Sequence, residues 1–374
     1  MISDIALSLR LGGLIAEPVP AEVINALTAV QVTTAAGHSS GFQLTFALSK
    51  QSVIARTMLP QGMFDPPSRV QIVVTLSGSP TVLMDGVITR HEVTASNEPG
   101  QSKLTITGED VSRMMDIVDF SGFPFTAMPP EARVAMMCGK YAMYGLIPLI
   151  VPSIFLMTPN PLDELPTQEG TDLGYIKQLA EQVGYVFYIE PGPVPGVNTA
   201  YWGPEVKVGQ PQPALVANGD SAGNVESLSF SFDGFASTQY VVLIQEKTTK
   251  FPIPIPVPGI NPIDPPLGLR LPAPLRISPL HGLGKYTPLQ AGAIALARAA
   301  ASADVVTGQG TLDVLRYGQP LQARRLVRVE GAGLDHDGLH YVTSVTHTIK
   351  RGEYKQSFNL SRNAFVPFPE GATA

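Results

Sequence analysis

The chain has 374 residues, a formal net charge of −6, 44% hydrophobic residues and only 15% charged ones. That length allows two or three domains with a sizeable core. The low charge, against a usual share of about 25%, fits either a surface covered by partners or one rich in Ser, Thr and Gln. The acidic balance, with no basic run larger than Arg324-Arg325-Leu326-Val327-Arg328, excludes the many phosphate contacts of tight nucleic-acid binding.

The N-terminus carries Asp4 and no basic stretch ahead of an apolar one, so it does not read as a signal peptide. Residues 1 to about 110 are strand-rich. Phe42, Leu44 and Phe46 alternate with Gln43 and Thr45, and Val70, Ile72, Val74 and Leu76 repeat the pattern. Leu104 and Ile106 do so again before Gly108. Short alternating strands between turn clusters predict a sandwich or barrel.

Near Asp110 the texture changes. Pro129-Pro130-Glu131 reads as a helix start, and Val134, Met137, Cys138 and Tyr141 then share a helical face. Cys138 is the single cysteine; it excludes an internal disulfide and a cysteine-based zinc site, and its place in that stripe predicts a core thiol. The longest apolar run, Leu146 to Met157, contains two prolines and is too short to span a bilayer as a helix. No membrane span is predicted, and assembly in the cytoplasm is. A second helix is expected from Thr171 to Val183, with Thr171 as N-cap and Gly184 as stop, followed by the strand Tyr185–Ile189.

Strands resume at Val225, with Leu228, Phe230 and Phe232 alternating with serines, and Tyr240, Val242 and Ile244 following. The stretch 251–274 has prolines at every second position from Pro252 through Pro254 and Pro256 to Pro258. It predicts an extended polyproline arm or long loop outside any sheet, serving as a docking arm or as a passive linker. Thr287-Pro288-Leu289-Gln290 is a capping sequence for an alanine-rich helix to about Ser302. Thr311–Tyr317 and Arg325–Glu330 are read as further strands. In the closing hairpin 338–362, Tyr354, Gln356, Phe358 and Leu360 share one face, and Tyr341, Val345 and Ile349 share one face of the outgoing strand. Two β units around a mixed insertion hint at a duplication, although their sequences are too dissimilar to establish it.

The residues offer little chemistry. Asp335-His336-Asp337 with His340 is the best metal-like group, but it lies where a turn before the last hairpin needs Asp and Gly. Gly282-Leu283-Gly284-Lys285 lacks the spacing of a phosphate loop. Asp163, Glu164 and Glu169 lie among prolines and polar residues, as a solvated loop does. His347 sits in a strand, where a hydrogen-bonded structural role fits. No catalytic set, metal or cofactor is predicted.

Several stretches resemble the late-control protein D family of baseplate hubs, in that family's order. They are Ser40–Phe46, Thr107–Met115, Asp172–Tyr188 with its helix, glycine and aromatic strand, Tyr201-Trp202-Gly203-Pro204, and the final hairpin. The resemblance implies a mainly β fold with an α/β insertion, α+β overall. It divides into a first tube-like β-barrel domain over 1–115, a mixed unit over 116–222, a second barrel over 223–362 and a tail over 363–374. It implies a non-enzymatic homotrimer with pseudo-six-fold symmetry that joins an inner tube protein to a spike protein, among other baseplate proteins. The short stretch after Arg362 implies a spike on a separate polypeptide. The implied location is a virion tail, or an extracellular or cell-associated injection particle, after assembly in the cytoplasm. Expected assembly residues are Phe42, Leu44, Phe46, Pro252, Pro254, Pro256, Pro258, Tyr354 and Phe358. The rival reading is a glycan- or cell-surface-binding β protein, against which stands the single tryptophan, Trp202.

Overall fold

The computed structural model describes residues 5–98, 100–153, 165–217, 223–245, 252–259, 264–282 and 288–368. The first part contains β1 (Ile5–Gly12), β2 (Ala16–Pro18), helix α1 (Ala21–Ala26), β3 (Leu27–Ala35), β4 (Gly41–Ala47), β5 (Arg69–Leu76), β6 (Ser79–Thr94) and β7 (Lys103–Asp110). The middle part holds α2 (Pro130–Lys140), β8 (Leu146–Ile150), α3 (Asp172–Glu181), β9 (Tyr185–Pro191), β10 (Asn198–Pro204) and β11 (Gln212–Val216). The last part runs through β12 (Val225–Phe232), β13 (Thr238–Gln245), β14 (Pro252–Pro256), β15 (Arg276–Pro279), α4 (Pro288–Ala303), β16 (Val306–Asp313) and α5 (Val314–Tyr317). It ends with β17 (Leu326–Glu330), β18 (Gly338–Lys350) and β19 (Glu353–Arg362).

The fold is mainly β with a few helices, as expected. The seven strands of the first part join β11, β12, β16, β17, β18 and β19 in one 13-stranded sheet, ordered β12-β16-β19-β18-β3-β4-β7-β6-β5-β1-β2, with β17 beside β18 and β11 beside β17. Among the described strands no pairing closes either part into a barrel. The joint between the parts is β18 on β3, antiparallel, with Ser344 opposite Ala35 and Lys350 opposite Ala29. One hydrophobic core underlies both parts and includes Leu44, Phe46, Ile72 and Ile106 together with Leu312, Val345, Phe358 and Leu360.

The two parts repeat one topology. The order β3-β4-β7-β6-β5 in the first corresponds to β12-β16-β19-β18-β17 in the last, with every neighbouring pair antiparallel. The registers correspond residue by residue. Phe46 faces Leu27 as Leu312 faces Val225. Phe42 faces Gly108 as Gly308 faces Leu360, and Arg69 faces Val87 as Leu326 faces Tyr341.

The irregularities correspond as well. β6 bulges at Thr89, between the pairs of Ile88 and Arg90, and β18 bulges at Thr343, between the pairs of Val342 and Ser344. Each threonine hydroxyl donates across to the partner strand: Thr89 to the Thr107 carbonyl at 3.2 Å, and Thr343 to the Asn359 carbonyl at 3.1 Å. Bulges are placed features of a sheet, so their coincidence marks the two units as copies of one design.

The middle part has its own core, in which α2 and α3 pack on the sheet β8-β10-β9 around Met137, Ile176, Phe187 and Trp202. Thr171 caps α3 as predicted, its hydroxyl accepting from the Gly174 amide at 3.2 Å. Gly184 ends the helical run at φ +69, and a Cβ there would lie 2.5 Å from the Ala297 Cβ of α4. Only glycine satisfies both demands.

Three expectations are corrected. The stretch 252–256 is a strand, pairing with β13 so that Leu243 lies opposite Pro254 and Val241 opposite Pro256. Alternate residues of a strand aim their amides to the same side. The Val257 amide donates to the Tyr240 carbonyl at 2.8 Å, so odd-numbered residues serve β13 and the prolines put their donor-free nitrogens on the open edge. Second, Tyr341 does not share a face with Val345. The bulge at Thr343 inserts one residue, which sends Tyr341 to a separate cluster with Leu267 and Leu326 while Val345 joins the main core. Third, the strand expected over Thr311–Tyr317 ends at Asp313, whose carboxylate caps α5 by accepting from the Leu315 amide at 2.8 Å. Thr287, the predicted cap of α4, lies outside the described residues.

Candidate assembly surfaces

Phe42, Leu44 and Phe46 are interior, and so are Tyr354 and Phe358. Their alternation builds the core, and no exposed side chain is left at these positions for a partner. Phe42 lies against Gly108, where a Cβ would come within 2.3 Å of the ring. Pro254, Pro256 and Pro258 are exposed, while the Pro252 side chain lies outside the described residues. The small sheet β14-β13-β15 buries Tyr240 and Val242 against Ala295 and Ala299 of α4. Its other face carries Leu243 and Ile277 at 52% and 71% exposure, beside Pro254 and Pro256.

Among the described strands the large sheet has open edges along β6 and β12, besides those of β2 and β11. Past Val87, β6 pairs only with β7, and Arg90, Glu92, Val93 and Thr94 are exposed there. At the other end β12 pairs only with β16, leaving Ser229, Ser231, Phe232 and Asp233 exposed. Arg90 bonds Glu92 at 2.7 Å in the open, a pair of small worth by itself.

Three polar joints fix the middle part to the large sheet. Arg69 makes two 2.8 Å bonds to the Asp85 carboxylate and a 2.7 Å bond to the Tyr144 carbonyl. Asn198 of β10 reaches both Asp85 and the Tyr144 carbonyl at 3.1 Å. Arg324 stacks its guanidinium 4.0 Å from the Tyr188 ring and donates to the Ala35 carbonyl at 2.8 Å, so it touches the insertion and both repeats. Lys207 is held by Asp264 at 3.1 Å and Asp304 at 2.9 Å, and Ser361 of β19 donates to Asp304 at 2.7 Å. Burial pushes the Asp264 carboxyl up to about 6 against the pull of Lys207. Buried ion pairs add little net stability but fix geometry when complete. These joints position the middle part on the large sheet.

His347 has the structural role expected of it. It is buried, with Nδ1 2.7 Å from the Tyr354 hydroxyl and 3.2 Å from the Gln356 amide, whose other bonds reach Leu321. Residues 334–336 form a turn, and the Asp337 carboxylate that follows it accepts from the Ala332 amide at 2.7 Å. Among the described residues no group of three or more His, Cys, Asp and Glu side chains is placed to hold a metal. Glu169 is exposed; Asp163, Glu164 and residues 283–287 lie outside the described residues. Burial, with Asp172 nearby, pushes the Cys138 thiol up to about 12. Among the described residues no helix is long and apolar enough to cross a membrane.

No protein-family model matches the chain, and no curated protein matches it in sequence. Solved structures match over nearly its whole length. The tail protein of Neisseria meningitidis MC58 has 13% identity and a TM-score of 0.63, over 96% of each chain. The 43 kDa tail protein of prophage MuSo2 from Shewanella oneidensis has 11% identity and a TM-score of 0.64, over 96% of this chain and 99% of that one. A chain of the Francisella PdpA–VgrG complex has 9% identity and a TM-score of 0.58, over 99% of this chain and 60% of that one.

The chain has the fold of these tail proteins. The tail fold accounts for the order in which the resembling stretches occur. Ser40–Phe46 leads into β4, Thr107–Met115 leaves β7, Asp172–Tyr188 forms α3 and β9, and the final hairpin is β18 with β19. Sequence reasoning missed the polar joints of this tail fold, because their members lie far apart in the chain and only pairing brings them together.

Proposed function

We propose that the chain is a structural baseplate hub of a contractile phage tail or related injection particle. Three copies form a ring that joins a hexameric inner tube to a trimeric spike. The observation that carries this reading is the register-matched duplication. Two equivalent five-stranded units in each of three chains supply six similar positions on one face of a ring, while the insertion keeps three-fold character on the other. The whole-chain likeness to tail proteins supports the same class, and the apolar outer face of β13 and β15 supports a chain that spends its life in contact with partners. Its role is to hold and align. Its place is the tail of a virion, or the baseplate of an extracellular or cell-associated particle, after assembly in the cytoplasm.

The test is to co-express the chain with a tail-tube protein and a spike protein of its own particle, and to measure the assembly by light scattering and electron microscopy. A homotrimer whose end view shows six similar lobes is expected. A chain that stays monomeric with both partners present overturns the proposal.

A further inference from the structure

Lys207 stands apart from the other paired lysines. Its side chain is 4% exposed, against 33% and 39% for Lys140 and Lys355, so among the described lysine–carboxylate pairs only this amine is shut away from water. It lies between β10 and β11. The two acids that hold it come from elsewhere in the chain. Asp264, 57 residues on, lies between β14 and β15, and Asp304, 97 residues on, lies just before β16. The Tyr341 ring stands 5.7 Å from the lysine Nζ and packs with Leu267 and Leu326. One enclosed amine thus meets two carboxyl groups in an apolar setting.

A buried ammonium needs one carboxylate for neutrality, and a second ionised one leaves a buried charge uncompensated. The favoured state therefore carries an extra proton. Asp264, which burial raises to about 6, is the group that takes it. A protonated carboxyl can be acylated onto an amine, whereas a carboxylate resists attack. Asp304 is placed to receive a proton. Its Oδ2 is 2.9 Å from Nζ and accepts from the Ser361 hydroxyl at 2.7 Å, and its Oδ1 is buried with no hydrogen-bond partner among the described residues.

We propose that Lys207 and Asp264 become joined by an isopeptide bond, with Asp304 as the proton acceptor. The ion pair of the freshly folded chain is the precursor, its Nζ 3.1 Å from Asp264 Oδ2. Burial lowers the Lys207 ammonium, but the charges of Asp304 and Asp264 outweigh burial and raise it, so the amine starts protonated. It hands one proton to Asp304, and the neutral Nζ attacks Cγ of the protonated Asp264. The Nζ–Cγ bond forms and the bond from Cγ to its hydroxyl breaks. A second amine proton, relayed through Asp304, leaves with that hydroxyl as water. The products are one amide, one water and a protonated Asp304, so atoms and charge balance with no oxidant, reductant or cofactor. The bond lies within one chain, ties the middle part to the last part, and is independent of what the chain assembles with.

The experiment is intact-mass spectrometry of the purified full chain held near the pH at which Asp264 titrates, about 6, followed by peptide mapping. Most of the chain is expected to be lighter by one water and to yield a branched peptide joining Lys207 to Asp264. Mapping is needed because an aspartate–glycine step such as Asp337-Gly338 also sheds one water when it forms a succinimide. On a reducing, denaturing gel the looped chain is expected to run ahead of the linear one. Asp304→Asn keeps the shape of the side chain but cannot take the proton. It is expected to slow bond formation roughly a hundredfold or more, with a melting curve that shows the variant folded. Full mass in the wild-type chain after days at that pH, or a lost water that maps to any other position, overturns the proposal. Undiminished linkage in Asp304→Asn overturns the role given to Asp304. Each of these results leaves the hub reading as it was.

Discussion

Arg69 and Asp85 form a bidentate pair, both bonds 2.8 Å long, at the point where the middle part meets the first repeat. Each is enclosed, with side-chain exposures of 5% and 0%. The pair also anchors Asn198 and the Tyr144 carbonyl, so it serves two domains at once. Replacing Arg69 with Met leaves a carboxylate in the interior without its main partner. A loss of about 3–5 kcal/mol is expected, read as a lower midpoint in urea unfolding.

The paired bulge threonines offer a test of the duplication in solution. Thr89→Val and Thr343→Val each remove one hydroxyl-to-carbonyl bond at equivalent positions. Each is expected to cost about 0.5–1.5 kcal/mol, and the two losses should add to within about 0.5 kcal/mol. Unequal costs in denaturant titrations would show that the units are alike in outline only.

Core and surface positions should separate cleanly. Phe46 is fully buried and packs its ring 6.0 Å from that of Phe64, so Phe46→Ala should lower stability by about 3–5 kcal/mol. Ile277, on the open face of β15, is largely exposed. Ile277→Ser should change the stability of the isolated chain by no more than about 0.5 kcal/mol. Calorimetry of the two variants checks both values.

Acid should loosen the fold before most carboxylates are protonated. Burial lowers His347 to about 4 and, together with the charge of Arg362, His340 to about 3, against 6.5 for a free histidine. Between pH 6.5 and about 4 the unfolded chain takes up protons that the native chain refuses. The contribution of the two histidines is therefore complete above pH 6.5 and is lost as pH falls toward about 4. Asp264, raised from 3.8 to about 6 by burial, acts with the opposite sign, its contribution fading as pH rises through about 6. Melting between pH 7.5 and 5 should show a net decline on acidification, and His347→Gln should flatten it.

Much of this architecture can be read from the residues, because local chemistry dictates it. The alternation of Phe42, Leu44 and Phe46, the Thr171 cap and the Gly184 stop all act within a few positions of themselves. What depends on pairing is hidden. One extra residue at Thr343 reverses the face of everything before it, and nothing in the run Tyr341-Val342-Thr343-Ser344-Val345 announces it. The run of prolines after 251 looks like a free polyproline arm until β13 is seen to accept its odd-numbered amides. The duplication is equally silent: Leu104 corresponds to Gln356 and Phe42 to Gly308, so the two units preserve a pattern of ladders and not of side chains. The joints around Arg69 and Arg324 combine distant segments, and no spacing rule points to them.

The prolines of β14 also have a meaning for traffic between molecules. A ribbon lacking amide protons along its outer rim cannot be extended by a stray neighbour. Random stacking of freshly made chains at that rim is thus discouraged.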